Sequence, residues 1–405
     1  MELMTVIKSQ MANLPLNWEV DTMSYGIDLI SGQHILSDGV NSEAKGVPYI
    51  TGPANFPNGL IYTDKYALNP RSVCMENDIL VTVKGSGTGK IILADRKYAI
   101  SRQLMAIRVK TDWDHKYLFY LLQAHASHFS DSSTGLIPGI SREDILNLEI
   151  VLPSNKTEQT TIANALSDID ALIRSLENLI VKKRTIKQGV IQELLQPKKE
   201  WKAKKLEEVA DSKVKWSFIG GPFGSNLKSS DYTAEGIRVI QLQNIGDGTF
   251  INDSEIYTSA DKANELLSNN IYPGDIILSK MGDPVARACI IPNFHRRYLM
   301  CSDGIRLCVD KLKYNSYFIY SYINSPLFRN KAENASTGST RKRIGLTELR
   351  NLEILCPSLL EQNKVAQILM DIDQEITIVE SKLSKYRHIK SGMMQTLLTG
   401  QIRFV

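Results

Sequence analysis

NLEIVLP at residues 147–153 returns as NLEILCP at residues 351–357, with five of seven positions identical at a distance of 204 residues. In a chain of 405 residues, a repeat at that distance means one unit occurs twice. Downstream, Glu158-Gln159 is answered by Glu361-Gln362, the Asp-Ile-Asp triplet at 168–170 by the same triplet at 371–373, and IQELL by MQTLL. Upstream, ENDILVTVKGSGTGKIIL from Glu76 follows the pattern of PGDIILSKMGDPVARACII from Pro273, and STGLIPGIS from Ser133 faces STGSTRKRIG from Ser336. The likeness is uneven. Apolar positions coincide after Glu158 and Glu361, whereas the stretches before them share only short islands, the pattern of common scaffolding carrying two different recognition surfaces.

The shared segment reads as a helix. Ile162, Leu166, Ile169, Ile173, Leu176 and Ile180 recur at alternating steps of four and three, the heptad seam of a coiled coil, and Val365, Leu369, Ile372, Ile376, Val379 and Leu383 repeat it. No proline interrupts either run, and Pro153 and Pro357 stand just upstream, where a strand would turn into the helix. Roughly 35 to 38 residues at 1.5 Å each would span on the order of 55 Å. A helix buried on its own domain is the other reading, because periodicity does not see partners. The first helix leads from one module into the next and the second follows module two. Antiparallel packing would therefore close the chain into a ring-like shape, with the modules at opposite ends and the helix length setting their spacing.

The remainder of each copy mixes strand and helix. GVPYIT (46–51), DILVTV (78–83), IRVIQL (237–242) and DIILSK (275–280) read as strands broken by Gly-rich and Asn-rich turns, and HKYLFYLLQAHA and NSYFIYSYINS as helices. The fold class expected is α+β: two tandem-repeated α/β domains separated by two long antiparallel coiled-coil helices. The boundaries expected are a first module at 1–155, a helix at 156–197, a second module at 198–358 and a closing helix at 359–400. Between the halves, QPKKEWKAKK (196–205) reads as a basic connector, either solvated or touching nucleic acid.

Composition sets bounds on function. A hydrophobic fraction of 43% and a charged fraction of 23% are those of a globular protein, and 48 basic against 44 acidic residues permit an anionic partner without requiring one. The five cysteines, Cys74, Cys289, Cys301, Cys308 and Cys356, show no C-x-x-C spacing and read as reduced thiols. With no signal-peptide pattern and no apolar run of about 18 residues, a soluble cytoplasmic protein is expected. The sequon at Asn155 then has no role.

Catalytic constellations are missing. KGSGTGKII (84–92) invites comparison with a phosphate-binding loop, but Lys84 stands where the first glycine belongs and Ile91 where the Ser/Thr belongs, so a turn between strands is the better reading. His125 and His128 lack an H-E-x-x-H frame or companion ligands, so no metal is expected. Asn69-Pro70 lacks the rest of an amino-methyltransferase motif, and no glycine fingerprint for a methyl donor or dinucleotide is present.

Several loops suit DNA. TGSTRKRIG (337–345) gathers Ser339, Thr340, Arg341, Lys342 and Arg343 between glycines, a composition for a phosphate backbone, although solvated turns share it. IGGPFGSNLKSSDY (219–232) supplies Ser225 and Lys228, and the DIILSK strand ends on Lys280. Gln241, Gln243 and Asn244 in IQLQNIGDG offer amides with the geometry for adenine, the alternative being turn-capping. In module one the comparable positions are ITGPANFPNG (50–59) and Lys84, Ser86, Thr88 and Lys90.

GPFGSNLKSSDY, GIRVIQLQNIGDG, the GDIILSK strand, STGSTRKRIG and NLEILCPSLLEQ running into a long helix together resemble the specificity subunit of type I restriction-modification systems. The resemblance covers nearly the whole chain; module one departs from it at 135–139, where LIPG replaces the polar STRK-like run. It implies two target-recognition domains that each read one half of a bipartite site in double-stranded DNA, held apart by two helices and carrying no catalytic activity or cofactor. It further implies two methyltransferase subunits docked on the helices, restriction/translocase subunits joining for cleavage, and S-adenosylmethionine and ATP bound by those partners. A coiled-coil interaction protein that binds no DNA, and a stand-alone enzyme with a site built from the divergent loops, are the competing hypotheses.

Overall fold

The computed structural model describes residues 14–57, 59–85, 87–110, 112–125, 139–338 and 341–403. Module one runs β1 (Trp18–Thr22), α1 (Met23–Gly26), β2 (Ile27–Ser31), β3 (Val40–Asn41), β4 (Val47–Ile50), β5 (Tyr66–Ala67), β6 (Val73–Cys74), β7 (Ile79–Thr82), β8 (Ile91–Leu93), β9 (Tyr98–Ile100), β10 (Leu104–Val109), α2 (His115–Ala124), α3 (Arg142–Leu146) and β11 (Glu149–Pro153), and leads into α4 (Lys156–Leu194). Module two runs β12 (Lys202–Lys205), β13 (Phe218–Gly220), β14 (Tyr232–Thr233), β15 (Ile237–Ile240), β16 (Ile256–Thr258), α5 (Ala260–Glu265), β17 (Asn270–Ile271), β18 (Ile276–Ser279), β19 (Ala288–Ile290), β20 (Tyr298–Met300), β21 (Gly304–Leu307), α6 (Ser316–Ile323), α7 (Pro326–Asn334), α8 (Leu346–Asn351) and β22 (Glu353–Cys356), and leads into α9 (Leu359–Leu397).

The two modules share one topology. Sheets ordered β1-β11, β2-β10-β7-β8 and β3-β5-β4-β9-β6 in the first recur as β12-β22, β13-β21-β18-β19 and β14-β16-β15-β20-β17 in the second. The islands of sequence identity are the residues that hold this frame. Asp78 accepts from the Met75 amide and receives the Arg108 guanidinium at 2.8 Å; Asp275 accepts from Tyr272 and receives Arg306 at 2.7 Å. Each aspartate closes the turn before a central strand and neutralises an arginine from the strand's neighbour, which explains why the D-I-L and D-I-I islands survive.

Both long helices are 39 residues, about 58 Å, so the expected helices are present and slightly longer than the seam alone implied. Ile162, Leu166, Ile173 and Ile180 of α4, and Val365, Leu369, Ile376, Val379 and Leu383 of α9, are buried, while Ile169, Leu176 and Ile372 are half-buried. Full burial of one such side chain contributes on the order of 2 kcal/mol.

The chain divides into two compact units, residues 1–178 with 380–405, and residues 179–379. Each unit holds one module and a stretch of both helices, and in each the two stretches run antiparallel. In the first, Asp170 pairs with Lys390 at 2.7 Å and Glu177 with Arg387 at 2.6 Å; in the second, Lys183 pairs with Glu375 at 2.6 Å and Lys187 with Asp373 at 2.5 Å. The more exposed of these pairs, such as Glu177 with Arg387, fix register more than they add stability.

In the connector at 196–205, residues 196–200 are exposed, and the remainder is built into module two. Trp201 is buried at 6% exposure against Phe318, and residues 202–205 are β12, paired antiparallel to β22. The tryptophan anchors the strand to the core, while Lys202, Ala203 and Lys205 stay exposed and Lys204 is half-buried, so the charge run concealed the strand.

Candidate nucleic-acid interface

Parallel pairing of β15 with β20 brings two strand ends to one edge of module two. Gln241 follows the first and residues 301–303 follow the second, joined by the Cys301 amide donating to the Ile240 carbonyl at 2.9 Å. Lys280 follows β18 at the same edge: its amide donates to Asp303 at 2.8 Å and its carbonyl accepts from Ile344 at 2.9 Å. Through that bond and a bridge from Met281 to Arg343, the basic loop lies along the edge. Gly221 brings the fourth segment, since a Cβ there would fall 1.7 Å from the Cys301 carbonyl oxygen; only glycine lets loop 221–231 approach so closely.

Most candidates of module two therefore converge, but they do not all face outward. Asn244 is 1% exposed; its Oδ1 accepts from the Gln241 amide at 2.9 Å and its Nδ2 donates to the Ile251 carbonyl at 3.0 Å, so it ties the loop and reads no base. Lys280 is half-buried and donates from Nζ to the Ser302 carbonyl at 3.0 Å; burial and the neighbouring Arg343 hold its ammonium below the ordinary lysine value. It braces the 301–303 turn. Lys342 is ion-paired to Glu333, whereas Arg341 is exposed and pairs with no described residue. Gln243 is exposed, donating to Gln241 at 3.1 Å and to the Ser254 hydroxyl at 2.7 Å. Ser225 and Lys228 lie exposed on the loop after Gly221. Ser339 and Thr340 lie outside the described residues.

Two residues that sequence reading passed over hold this loop system. Arg238, 1% exposed in the middle of β15, reaches the Ser254 carbonyl at 2.6 Å and Asn252 at 3.1 Å. Arg329 of α7 joins Asp247 to the Val285 carbonyl, and burial pulls its guanidinium down to about 10. A charge flanked by apolar residues, as in IRVI, was the available signal for the first; the second had none, its partners being distant in sequence.

In module one the glycine-rich segment is a turn between β7 and β8, as expected, and it meets the other chosen loop: a Cβ on Gly87 would fall 2.4 Å from Pro53. Lys84 and Lys90 are exposed. Thr88 donates from its hydroxyl to the Gly85 carbonyl at 2.6 Å, which makes it a turn residue. Ser86 lies outside the described residues, as do His128 and residues 135–138.

Each module is clamped to its helix by the same buried glutamine. Gln159 donates to the Pro153 carbonyl at 2.8 Å and accepts the Asp114 amide at 2.8 Å; Gln362 donates to Pro357 at 3.0 Å and accepts Asn315 at 2.9 Å. Asp114 and Asn315 are the N-caps of α2 and α6, so the second residue of the Glu-Gln island joins helix to module. Lower down, Tyr120 reaches Asp170 at 2.9 Å and Tyr317 reaches Asp373, the last residues of the two Asp-Ile-Asp triplets.

The five cysteines are not poised as nucleophiles. All five cysteines are free, and burial pushes Cys74, Cys289 and Cys356 up to about 12 and Cys308 to about 11. Among the described residues, no cluster of three or more His, Cys, Asp or Glu can hold a metal, and no helix is long and apolar enough to cross a membrane.

Two copies of one α/β module, each with a loop-built polar edge and each clamped to a long helix, define a tandem recognition protein. The chain belongs to the type I restriction modification DNA specificity domain family, whose model matches it at residues 17–183 and again at 198–385. It is 25% identical to the type I restriction enzyme MjaVIII specificity subunit of Methanocaldococcus jannaschii, over 96% of this chain and 94% of that one. The fold is shared with the type I restriction-modification S subunit of M. genitalium (TM-score 0.60, 19% identity, 95% of this chain and 97% of that one). It is also shared with a chain from a study of complex assembly and conformational transition in the type I R-M system (TM-score 0.60, 16% identity, 96% of this chain and 100% of that one). In such systems the specificity subunit is the non-catalytic, DNA-recognising component, and that is the role of this chain.

Proposed function

We propose that this chain reads a bipartite sequence in double-stranded DNA, one half-site per module, and directs two methyltransferase subunits to it. Restriction/translocase subunits join the same assembly for cleavage, and S-adenosylmethionine and ATP are bound by those partners, in the cytoplasm where host DNA lies. The observation that carries this reading is the contrast within the repeat: identical sheet order and identical glutamine clamps in both modules, but different side chains at the equivalent loop edge. Conserved frames position, and divergent edges specify. Docking on the helices is supported by apolar side chains left exposed along them, among them Val181 and Ile186 of α4 and Ile368 and Ile378 of α9, in a molecule whose seam is otherwise covered.

The test is co-expression with the neighbouring methyltransferase subunit, followed by mapping of modified adenines across host DNA. A two-part motif with a fixed spacer is the expected result. Absence of any motif together with absence of a complex would return the chain to the class of interaction proteins.

A further inference from the structure

Module one equips its edge differently from module two. Lys84 bridges to Gly139 as Met281 bridges to Arg343, so the place of Arg343 is taken by a glycine. Cationic and amide groups stand instead on the turn after β9. The Ser101 amide donates to Ile50 at 3.0 Å and the Gln103 carbonyl accepts from Val83 at 2.8 Å, mirroring Cys301 to Ile240 and Lys280 to Asp303. Arg102 and Gln103 thereby occupy the positions of Ser302 and Asp303.

A cleft of about 610 Å³ opens beside this turn, lined by His34 after β2, Thr51 after β4, Lys65, Arg102 and Gln103. The turn itself is held firmly. Ser101, 5% exposed, donates from Oγ to the Thr51 carbonyl at 2.5 Å and accepts the Gln103 amide at 3.2 Å. Arg102 and Gln103 on this turn, and His34 and Lys65 elsewhere in the lining, are all exposed, and none has a side-chain hydrogen bond or ion pair among the described residues, the Gln103 carboxamide resting against Gly52. In module two the corresponding polar groups are largely engaged with one another; here a fixed backbone presents an arginine and an amide with open valences at the mouth of a cleft whose lining mixes polar groups with apolar ones such as Ile35 and Val40. A guanidinium matches guanine O6 and N7, and a carboxamide matches adenine N6 and N7.

We propose that this cleft is where module one reads its half-site, with Arg102 and Gln103 contacting base edges and Lys65 and His34 the adjoining phosphates. The assignment rests on the reading of the chain as a bipartite DNA-recognition subunit, and the experiment separates the two. Wild type, Arg102→Ala/Gln103→Ala and Gln241→Ala/Gln243→Ala are each co-expressed with the methyltransferase subunit, and modified adenines are mapped. The wild type should show a two-part motif. The module-one variant should keep the other half-site intact and relax at least one base of its own, with discrimination at that base falling by roughly ten-fold to a hundred-fold. The module-two variant should do the converse. All the substituted residues of module one are exposed, so unchanged thermal unfolding is expected and separates lost reading from lost folding. A double variant with the wild-type motif at wild-type occupancy would overturn the cleft assignment while leaving the bipartite reading standing. Weaker modification at every site with base preference intact would make the pair phosphate contacts and also overturn base reading. A wild type without a two-part motif would overturn the functional reading, and the cleft with it.

Discussion

Asn244 and Gln243 stand side by side in one loop and are chemically alike, yet the structure assigns them different tasks. The buried amide of Asn244 joins residue 241 to residues 251 and 254, while Gln243 lies on the surface. Asn244→Ala leaves buried backbone groups unpaired and should lower stability by about 1–3 kcal/mol, with the loop's contribution to recognition lost as a consequence. Gln243→Ala should change stability by no more than about 0.5 kcal/mol and alter base preference alone. Urea titrations of both variants, beside their methylation motifs, check this division; equal destabilisation would contradict it. Turn chemistry in IQLQNIGDG was legible in the sequence, and so was the alternative that amides cap turns. Which amide caps was not, because the carbonyls it meets come from seven and ten residues away.

At the scale of elements, the helices were the most legible part of the chain. A seam repeating at fours and threes needs only local geometry to define a face, and that face is the one buried in both α4 and α9. The clamp is a different matter. Glu-Gln following NLEI was visible as a repeated pair, but nothing local says that the glutamine goes inward and ties the helix to the N-cap of α2 or α6. Gln362→Leu keeps the volume and strands the Asn315 amide and the Pro357 carbonyl. It should destabilise the unit containing module two by about 1–3 kcal/mol, read as a lower urea midpoint at unchanged slope. Gln159→Leu should do the same in the first unit.

On the scale of the whole molecule, the two modules are completed by different parts of the chain. In module two, Ile191 and Leu195 at the end of α4 enter the core beside Trp201, just ahead of β12 in the chain. In module one the corresponding contact comes from another part of the chain. Leu397 and Leu398 at the end of α9 supply that contact beside Trp18, and Gly400, at φ +70, turns the chain closely over Pro15 and Trp18. Arg403 then closes on Glu158 at 2.8 Å. The guanidinium, with the Trp18 indole N–H adding to it, holds the Glu158 carboxyl below the usual carboxylate range. Its contribution is complete above the ordinary carboxylate pKa and disappears as pH falls through the depressed value. Arg403→Ala should therefore lower the melting temperature of the first unit near neutral pH, and the gap from wild type should close on acidification. A gap independent of pH would show that packing, not the ion pair, makes the difference.

The amino-acid sequence by itself determined the duplication, the two long helices and their buried faces, the mixed modules and the family. Each of these depends on periodicity or on motifs whose meaning is local. Tertiary structure alone decided which polar residues are tied inward, as Asn244 and Lys280 are, and which are left open, as Arg102 and Gln103 are. It also decided that the basic stretch around Trp201 is a strand and that the C-terminal end completes the first module. The reason is common to all of them: whether a polar or charged group is free depends on donors and acceptors brought from distant segments, and those meet only when strand ends converge on one edge.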